Sequence, residues 1–168
     1  MTVTPQQKII ALYAAFGLCV ITTSIPNMSV QNYAMLLTLV VLIAGYLLRK
    51  KSSEDSLESH HATFVIRTIW IWSAVLVFGM MGAGWMVYEH GDASAITTMA
   101  NSIMEGATPT EDDMNQAAET YFDTNYDLIF KSMLQWLAPA QLYAVWRIAR
   151  GLSRALKGYR VQNLRSWI

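Results

Sequence analysis

The chain has 168 residues, of which 54% are hydrophobic and 14% charged, against about 25% charged in an average soluble domain. Its formal net charge is zero, yet nine of the twelve acidic residues lie between Glu89 and Asp127, a stretch without Lys or Arg. Such segregation argues against a domain in one uniform solvent and favours a chain whose loops face different compartments. The single cysteine, Cys19, excludes an intramolecular disulfide and a thiolate metal cluster.

Three apolar runs, at about residues 8–25, 31–48 and 66–88, predict three transmembrane helices. About 20 apolar residues cross the hydrocarbon core of a bilayer, and these runs reach or approach that length. No clear small-residue cleavage site follows the first run, which therefore predicts a retained span instead of a signal peptide.

The second and third runs carry features typical of membrane helices. Basic side chains end the second run, and we expect them to anchor it at the membrane surface by snorkelling: Arg49, Lys50 and Lys51. Small residues interrupt the third run, and we expect them to let another helix or a partner subunit pack closely: Gly79, Gly82 and Ala83.

The acidic segment at residues 89–125 is too long to be simple coil in a compact protein. Apolar residues recur at helical spacing on either side of Pro109, and Thr110 with Asp113 resembles a helix start. The pattern predicts two short amphipathic helices in an external loop.

A fourth span is predicted at residues 126–146, although polar residues interrupt it. With four crossings, eleven of the twelve basic residues lie on the inner side, and only Lys131 does not. Without the fourth crossing, the six basic residues that follow Lys131 would also lie outside, against the positive-inside rule. Charge therefore favours four spans, with both termini in the cytoplasm.

The polar side chains of the fourth span predict contacts. Asp127 and Lys131 have the i, i+4 spacing of an ion pair on one helix face. Gln135 and Gln141 lie deeper and are costly to expose to lipid, so we expect them to face other helices or a partner subunit.

The segment 147–168 predicts a basic amphipathic helix at the inner membrane surface. Four cations recur at spacings of three or four residues and are interpreted as anchors to anionic headgroups: Arg147, Arg150, Arg154 and Lys157. A docking surface for a cytoplasmic partner is compatible with this interpretation. Nucleic-acid binding is disfavoured, because neither base-stacking aromatics nor a groove-entering element is evident.

Chemistry-bearing patterns are weak in this sequence. His60 and His61 are adjacent, which points them about 100° apart on a helix, and no second ligand pair has matching spacing. His90 and several methionines leave a copper site on the outer side open as an alternative. No catalytic set or phosphate loop occurs, so we expect neither an enzyme nor a cofactor.

Two stretches resemble a known family. SHHATFVIRTIWIW (Ser59–Trp72) resembles the His-x-x-x-x-x-Arg-Thr-x-Trp entry to a span, and VWRIARGLSRALKGYRV (Val145–Val161) resembles a Tyr/Trp-Arg-Ile-x-Arg-Gly-Leu exit. Both patterns are similar to those of small bacterial four-span membrane proteins related to the chloroplast import-translocon Tic group and MamF/MmsF-type magnetosome proteins. The resemblance implies a four-helix integral membrane protein with cytoplasmic termini. It implies no catalytic residues, and the long acidic loop departs from the family.

The sequence thus predicts a single all-α membrane domain over residues 1–168, a four-transmembrane-helix bundle of the bacterial inner membrane. We expect a non-catalytic accessory or scaffold subunit whose partners are membrane lipids and other subunits or copies of itself. A small transporter or channel-like component, or a translocation or insertion helper, remains the alternative.

Overall fold

The computed structural model describes residues 4–25 and 28–161, over which the chain forms six α-helices and no strand. The helices are α1 (Pro5–Thr23), α2 (Met28–Lys51), α3 (Leu57–His90), α4 (Ser94–Met104), α5 (Glu111–Thr124) and α6 (Tyr126–Leu156). The predicted all-α class is confirmed. The end of the predicted basic tail, residues 162–168 with Arg165, lies outside the described residues.

Three helices of the described ranges are long and apolar enough to cross a membrane: Pro5–Thr23, Ser29–Lys51 and Leu57–His90. They cover the predicted apolar spans, except that α1 ends at Thr23, two residues short of the end of the first span, and the third helix begins well before residue 66. α6 covers the predicted fourth span but is not among these candidates, because polar side chains lower its hydropathy. The fourth crossing remains a prediction.

Local signals explain where several helices begin. Thr4 accepts a hydrogen bond from the backbone N–H of Gln7, and the Gln7 side chain accepts one from the Thr4 N–H, which forms a capping box ahead of Pro5. Thr110 and Asp113 form the same reciprocal cap at the start of α5, as the sequence predicts. The two short helices expected between residues 89 and 125 are confirmed as α4 and α5, which pack against each other.

The chain divides into two compact units. The first comprises Met1–Val75 and Pro139–Ile168, and the second comprises Leu76–Ala138. In the first unit α1 packs against α2. Phe16 of α1 meets Trp72 of α3 edge to face, with ring centroids 5.6 Å apart, and both side chains are buried.

The second unit is built on close helix packing at glycines. A Cβ atom on Gly79 would collide with the backbone of Trp136, and one on Gly82 would lie 2.6 Å from its indole ring. Gly79 and Gly82 therefore let α6 approach α3, which is the role that their small size predicts. Ala83 is also buried, whereas Gly84 faces open space.

The basic segment after residue 146 differs from the prediction, because it is the end of α6 and not a separate surface helix. Helical hydrogen bonding runs through Gly151 to Leu156. Gly158, with φ of 70°, ends the helix: the Tyr159 N–H returns to the Arg154 carbonyl at 2.9 Å, a glycine-based C-cap.

Candidate functional site

One face of the second half of α6 is buried in the first unit. Its residues recur every three or four positions, and all but one are small: Ala140, Ala144, Arg147, Gly151 and Ala155. Small side chains at this spacing let other helices pack closely against the backbone. Gly151 shows the closest approach, since a Cβ atom there would overlap the hydroxyl group of Tyr13.

Arg147 is the exception on this face, and its position corrects the sequence prediction. It was expected at the membrane surface, but it is only 1% exposed. Its guanidinium lies 3.7 Å from the centroid of the Phe64 ring, and its Nε donates to Thr68 Oγ1 at 3.2 Å. Thr68 in turn donates to the Phe64 backbone carbonyl at 2.7 Å. Arg147 therefore contributes a buried cation–π contact between α6 and α3.

The two adjacent histidines hold the chain that follows α6. His61 Nε2 lies 3.0 Å from the Tyr159 carbonyl and His60 Nδ1 lies 3.2 Å from the Val161 carbonyl. A carbonyl only accepts, so these nitrogens carry the protons. His61 Nδ1 is then free to accept from the Tyr13 hydroxyl at 3.0 Å. One histidine pair thus connects α1, α3 and the end of the described chain.

This arrangement brings together the two stretches that carry the family resemblance. His61 and Thr68 come from the first stretch, and Arg147 and Gly151 come from the second. Thr68 bonds Arg147 directly, whereas Tyr13 contacts both His61 and Gly151. The histidines therefore form structural bonds here, and no group of three or more His, Cys, Asp or Glu residues within 4–25 and 28–161 could hold a metal ion.

Gln141 bridges helices, as predicted. Its Oε1 accepts from Trp72 Nε1 at 3.3 Å, and its Nε2 donates to Thr23 Oγ1 at 3.3 Å. Gln135 is different, because its side chain is exposed in the described structure. Its contact with a partner subunit stays a prediction.

The predicted ion pair between Asp127 and Lys131 is also absent. Both side chains are exposed, and no ion pair joins them in the described structure. An exposed i, i+4 pair is worth only a few tenths of a kcal/mol to a helix, so little stability is lost without it. Within residues 4–25 and 28–161, an ion pair links Lys8 of α1 to Glu58 of α3 at 3.1 Å.

The remaining predicted anchors lie at two helix ends. Arg49, Lys50 and Lys51 form the exposed last turn of α2, where cations interact favourably with the helix dipole. Arg150 and Arg154 are half-buried, and Lys157 is exposed just beyond α6. These three, unlike Arg147, lie where an external anion can reach them.

A side-chain clamp that the sequence does not reveal closes the acidic loop. Asn125, between α5 and α6, accepts from the Asp92 N–H at 2.7 Å and donates to the Asp92 carbonyl at 2.9 Å. The Asn125 side-chain amide thus bonds both backbone groups of Asp92, as a neighbouring β-strand would. These bonds hold the chain just after α3 against the chain just before α6, so the two ends of the segment that contains α4 and α5 are joined.

Comparison with known proteins gives no relative for this chain: no family model, curated protein or solved structure matches it. The resemblance to four-span membrane proteins therefore stays a prediction. What the chain does has to be argued from its own surfaces.

Proposed function

We propose that the chain is a non-catalytic accessory or scaffold subunit of a bacterial inner-membrane complex, with four spans and both termini cytoplasmic. Three apolar helices support a membrane location, and the distribution of basic residues supports a fourth crossing by α6. Arg147 and the histidine pair make buried polar contacts that hold helices of the first unit together. Such contacts support a structural role.

The surface of α2 has the composition expected of a lipid contact. Between residues 33 and 47 its large exposed side chains are apolar or aromatic: Tyr33, Met35, Leu36, Leu39, Val40, Ile43, Tyr46 and Leu47. A helix face of this kind needs no protein partner in a bilayer, because lipid tails are as apolar as leucine.

The exposed surface of the first half of α6 is different, and this observation carries the proposal. Phe130, Met133 and Leu134 are exposed there next to Lys131 and Gln135. An amide and an ammonium among apolar side chains are costly in hydrocarbon and favour a neighbour that can bond them. We infer that this surface, the mixed face of α6, docks another subunit or a second copy of the chain.

Site-specific photocrosslinking in native membranes tests this assignment. A photoreactive residue replaces Leu134 on the mixed face, and the matched control replaces Val40 on α2. The proposal predicts a discrete protein adduct from position 134 and only lipid adducts from position 40. A monomer with no adduct from position 134, or the same adducts from both positions, would contradict it.

The transport alternative requires a polar path that includes Asp127, Lys131, Gln135 and Gln141. Gln141 is already engaged by Trp72 and Thr23, which favours a packing role for that residue. Replacing Gln135 and Gln141 together by Ala separates the alternatives. Loss of assembly supports the scaffold, whereas loss of flux with intact assembly supports transport.

A further inference from the structure

A cationic groove lies at the end of α6 in the first unit. It is an open groove of about 690 Å³, lined by Arg150, Ser153, Arg154, Lys157, Tyr159 and Arg160. The chain reversal at Gly158 creates it, since residues 159 and 160 turn back beside the last turns of the helix. Arg154 Nη1 reaches the Arg160 carbonyl at 3.4 Å, and the bond from His61 to the Tyr159 carbonyl holds the returning segment.

The groove has the chemistry of a phosphate site. Four of its six lining residues are cations, and none is acidic. Like charges held together repel each other unless an anion lies among them. Guanidinium groups match phosphate oxygens in pairs, and the hydroxyl groups of Ser153 and Tyr159 add further donors.

The surface next to the groove indicates where the phosphate comes from. Leu142 is 70% exposed, and Val145 and Trp146 are exposed on the same side of α6 as Ser153. At 1.5 Å rise per residue, Ser153 lies about 10 Å along the helix from Trp146. Arg150 lies 5.4 Å from the centroid of the Trp146 ring, and such aromatic residues favour the membrane interface. An apolar strip therefore runs directly into the cationic groove.

We propose that this groove binds the phosphate headgroup of an anionic phospholipid whose acyl chain lies along Leu142 and Val145. Arg150, Arg154 and Lys157 surround the phosphate group, and Trp146 lies at the level of the glycerol backbone. The inference rests on the membrane location in the proposed function and is independent of any protein partner.

Lipid titration of the full chain in detergent tests the site. The probes are phosphatidylglycerol, phosphatidylcholine and inorganic phosphate, and native mass spectrometry reads the bound species. The double variant Arg150→Gln/Lys157→Gln removes two groove cations. Its matched control, Arg49→Gln/Lys50→Gln, removes two cations from the end of α2, and Arg49 likewise lies over an aromatic ring, that of Tyr46 at 5.3 Å.

Two lost cations at about 1 kcal/mol each weaken phosphatidylglycerol binding about 30-fold in the groove variant. The control variant keeps nearly full affinity. Ser153→Trp fills the groove without removing a charge and is also expected to displace the lipid. It separates occlusion of the site from misfolding of a charge variant, and circular dichroism checks that each variant keeps its helices.

Three results would overturn the assignment. Equal weakening in the groove and control variants would show diffuse attraction instead of a site. Inorganic phosphate that binds as tightly as phosphatidylglycerol would make the ligand a soluble anion. Equal binding of phosphatidylglycerol and phosphatidylcholine would show that the groove does not recognise an anionic headgroup. None of these results affects crosslinking from position 134. The lipid titration therefore tests the headgroup site, and the crosslinking tests the docking function independently.

Discussion

Arg147 lies inside the protein because α6 turns a face of small residues inward and position 147 belongs to it. The sequence signal was present, since Ala140, Ala144, Gly151 and Ala155 have matching helical spacing. The regular spacing of the basic residues from Arg147 to Lys157 hid this pattern of small residues, because it indicated one continuous charged face. Charge pattern alone does not distinguish a buried guanidinium over an aromatic ring from an exposed one.

Truncating Arg147 should be costly. Arg147→Ala removes a large buried side chain over Phe64 and leaves a cavity, so we expect a loss of about 3 kcal/mol in unfolding free energy. Arg147→Met keeps most of the volume and should lose far less, because a well-packed apolar residue often replaces a buried cation without penalty. Denaturant unfolding in detergent measures the unfolding free energy of both variants, and Arg49→Ala is the control at an exposed position. Similar losses for Ala and Met would contradict this account of the packing.

Gly151 gives a second test at a single residue. Alanine normally stabilises a helix interior by up to about 1 kcal/mol relative to glycine, and Gly17→Ala in α1 should show that gain because open space surrounds it. Gly151→Ala should instead destabilise by about 1–3 kcal/mol, since the methyl group meets the Tyr13 hydroxyl. Thermal unfolding of the two variants should shift in opposite directions. A stabilised Gly151→Ala protein would show that the two helices are not in contact there.

Among the elements, the apolar helices were the most predictable part of the fold. Hydropathy locates α1, α2 and the core of α3, and turn and cap residues locate α4 and α5. α6 continues to Leu156, ten residues beyond the end of the predicted fourth span, and Gly151 lies within this extension as a close contact with Tyr13. The histidine contacts and the Asn125 clamp had no sequence signal, since they end on backbone carbonyls or N–H groups far away in the chain.

The start of α5 should respond to acid. The Thr110 backbone N–H and hydroxyl both donate to the Asp113 carboxylate, at 2.8 Å and 2.7 Å, which lowers the pKa of Asp113 below its ordinary value. A lowered carboxyl pKa stabilises the folded helix above the ordinary value of about 3.9, and the benefit disappears as pH falls through the lowered pKa.

Amide hydrogen exchange near residues 110–114 should therefore accelerate below about pH 4 after correction for the intrinsic rate. Asp113→Ala should show fast exchange there already at neutral pH. Asp112→Ala is the matched control, because that acid lies in the same first turn but makes no cap. Equal exchange rates in the two variants would show that the capping box does not protect these amides.

On the scale of the whole molecule, the account depends on how often the chain crosses the bilayer. Hydropathy supports three of the proposed crossings, whereas the fourth is proposed from the position of the cations relative to the acidic loop. The mixed face of α6 and the groove at its end share that dependence, because only a crossing α6 places one in the hydrocarbon region and the other at the inner surface.

Cysteine accessibility in intact inner-membrane vesicles of known orientation measures this directly. In a Cys19→Ala background, single cysteines replace Lys50 at the end of α2, Asp112 in α5 and Leu156 at the end of α6. Four crossings predict that an impermeant thiol reagent labels positions 50 and 156 from the cytoplasmic side only, and position 112 from the opposite side only. Labelling of position 156 from the same side as position 112 would contradict the fourth crossing and with it the proposed function.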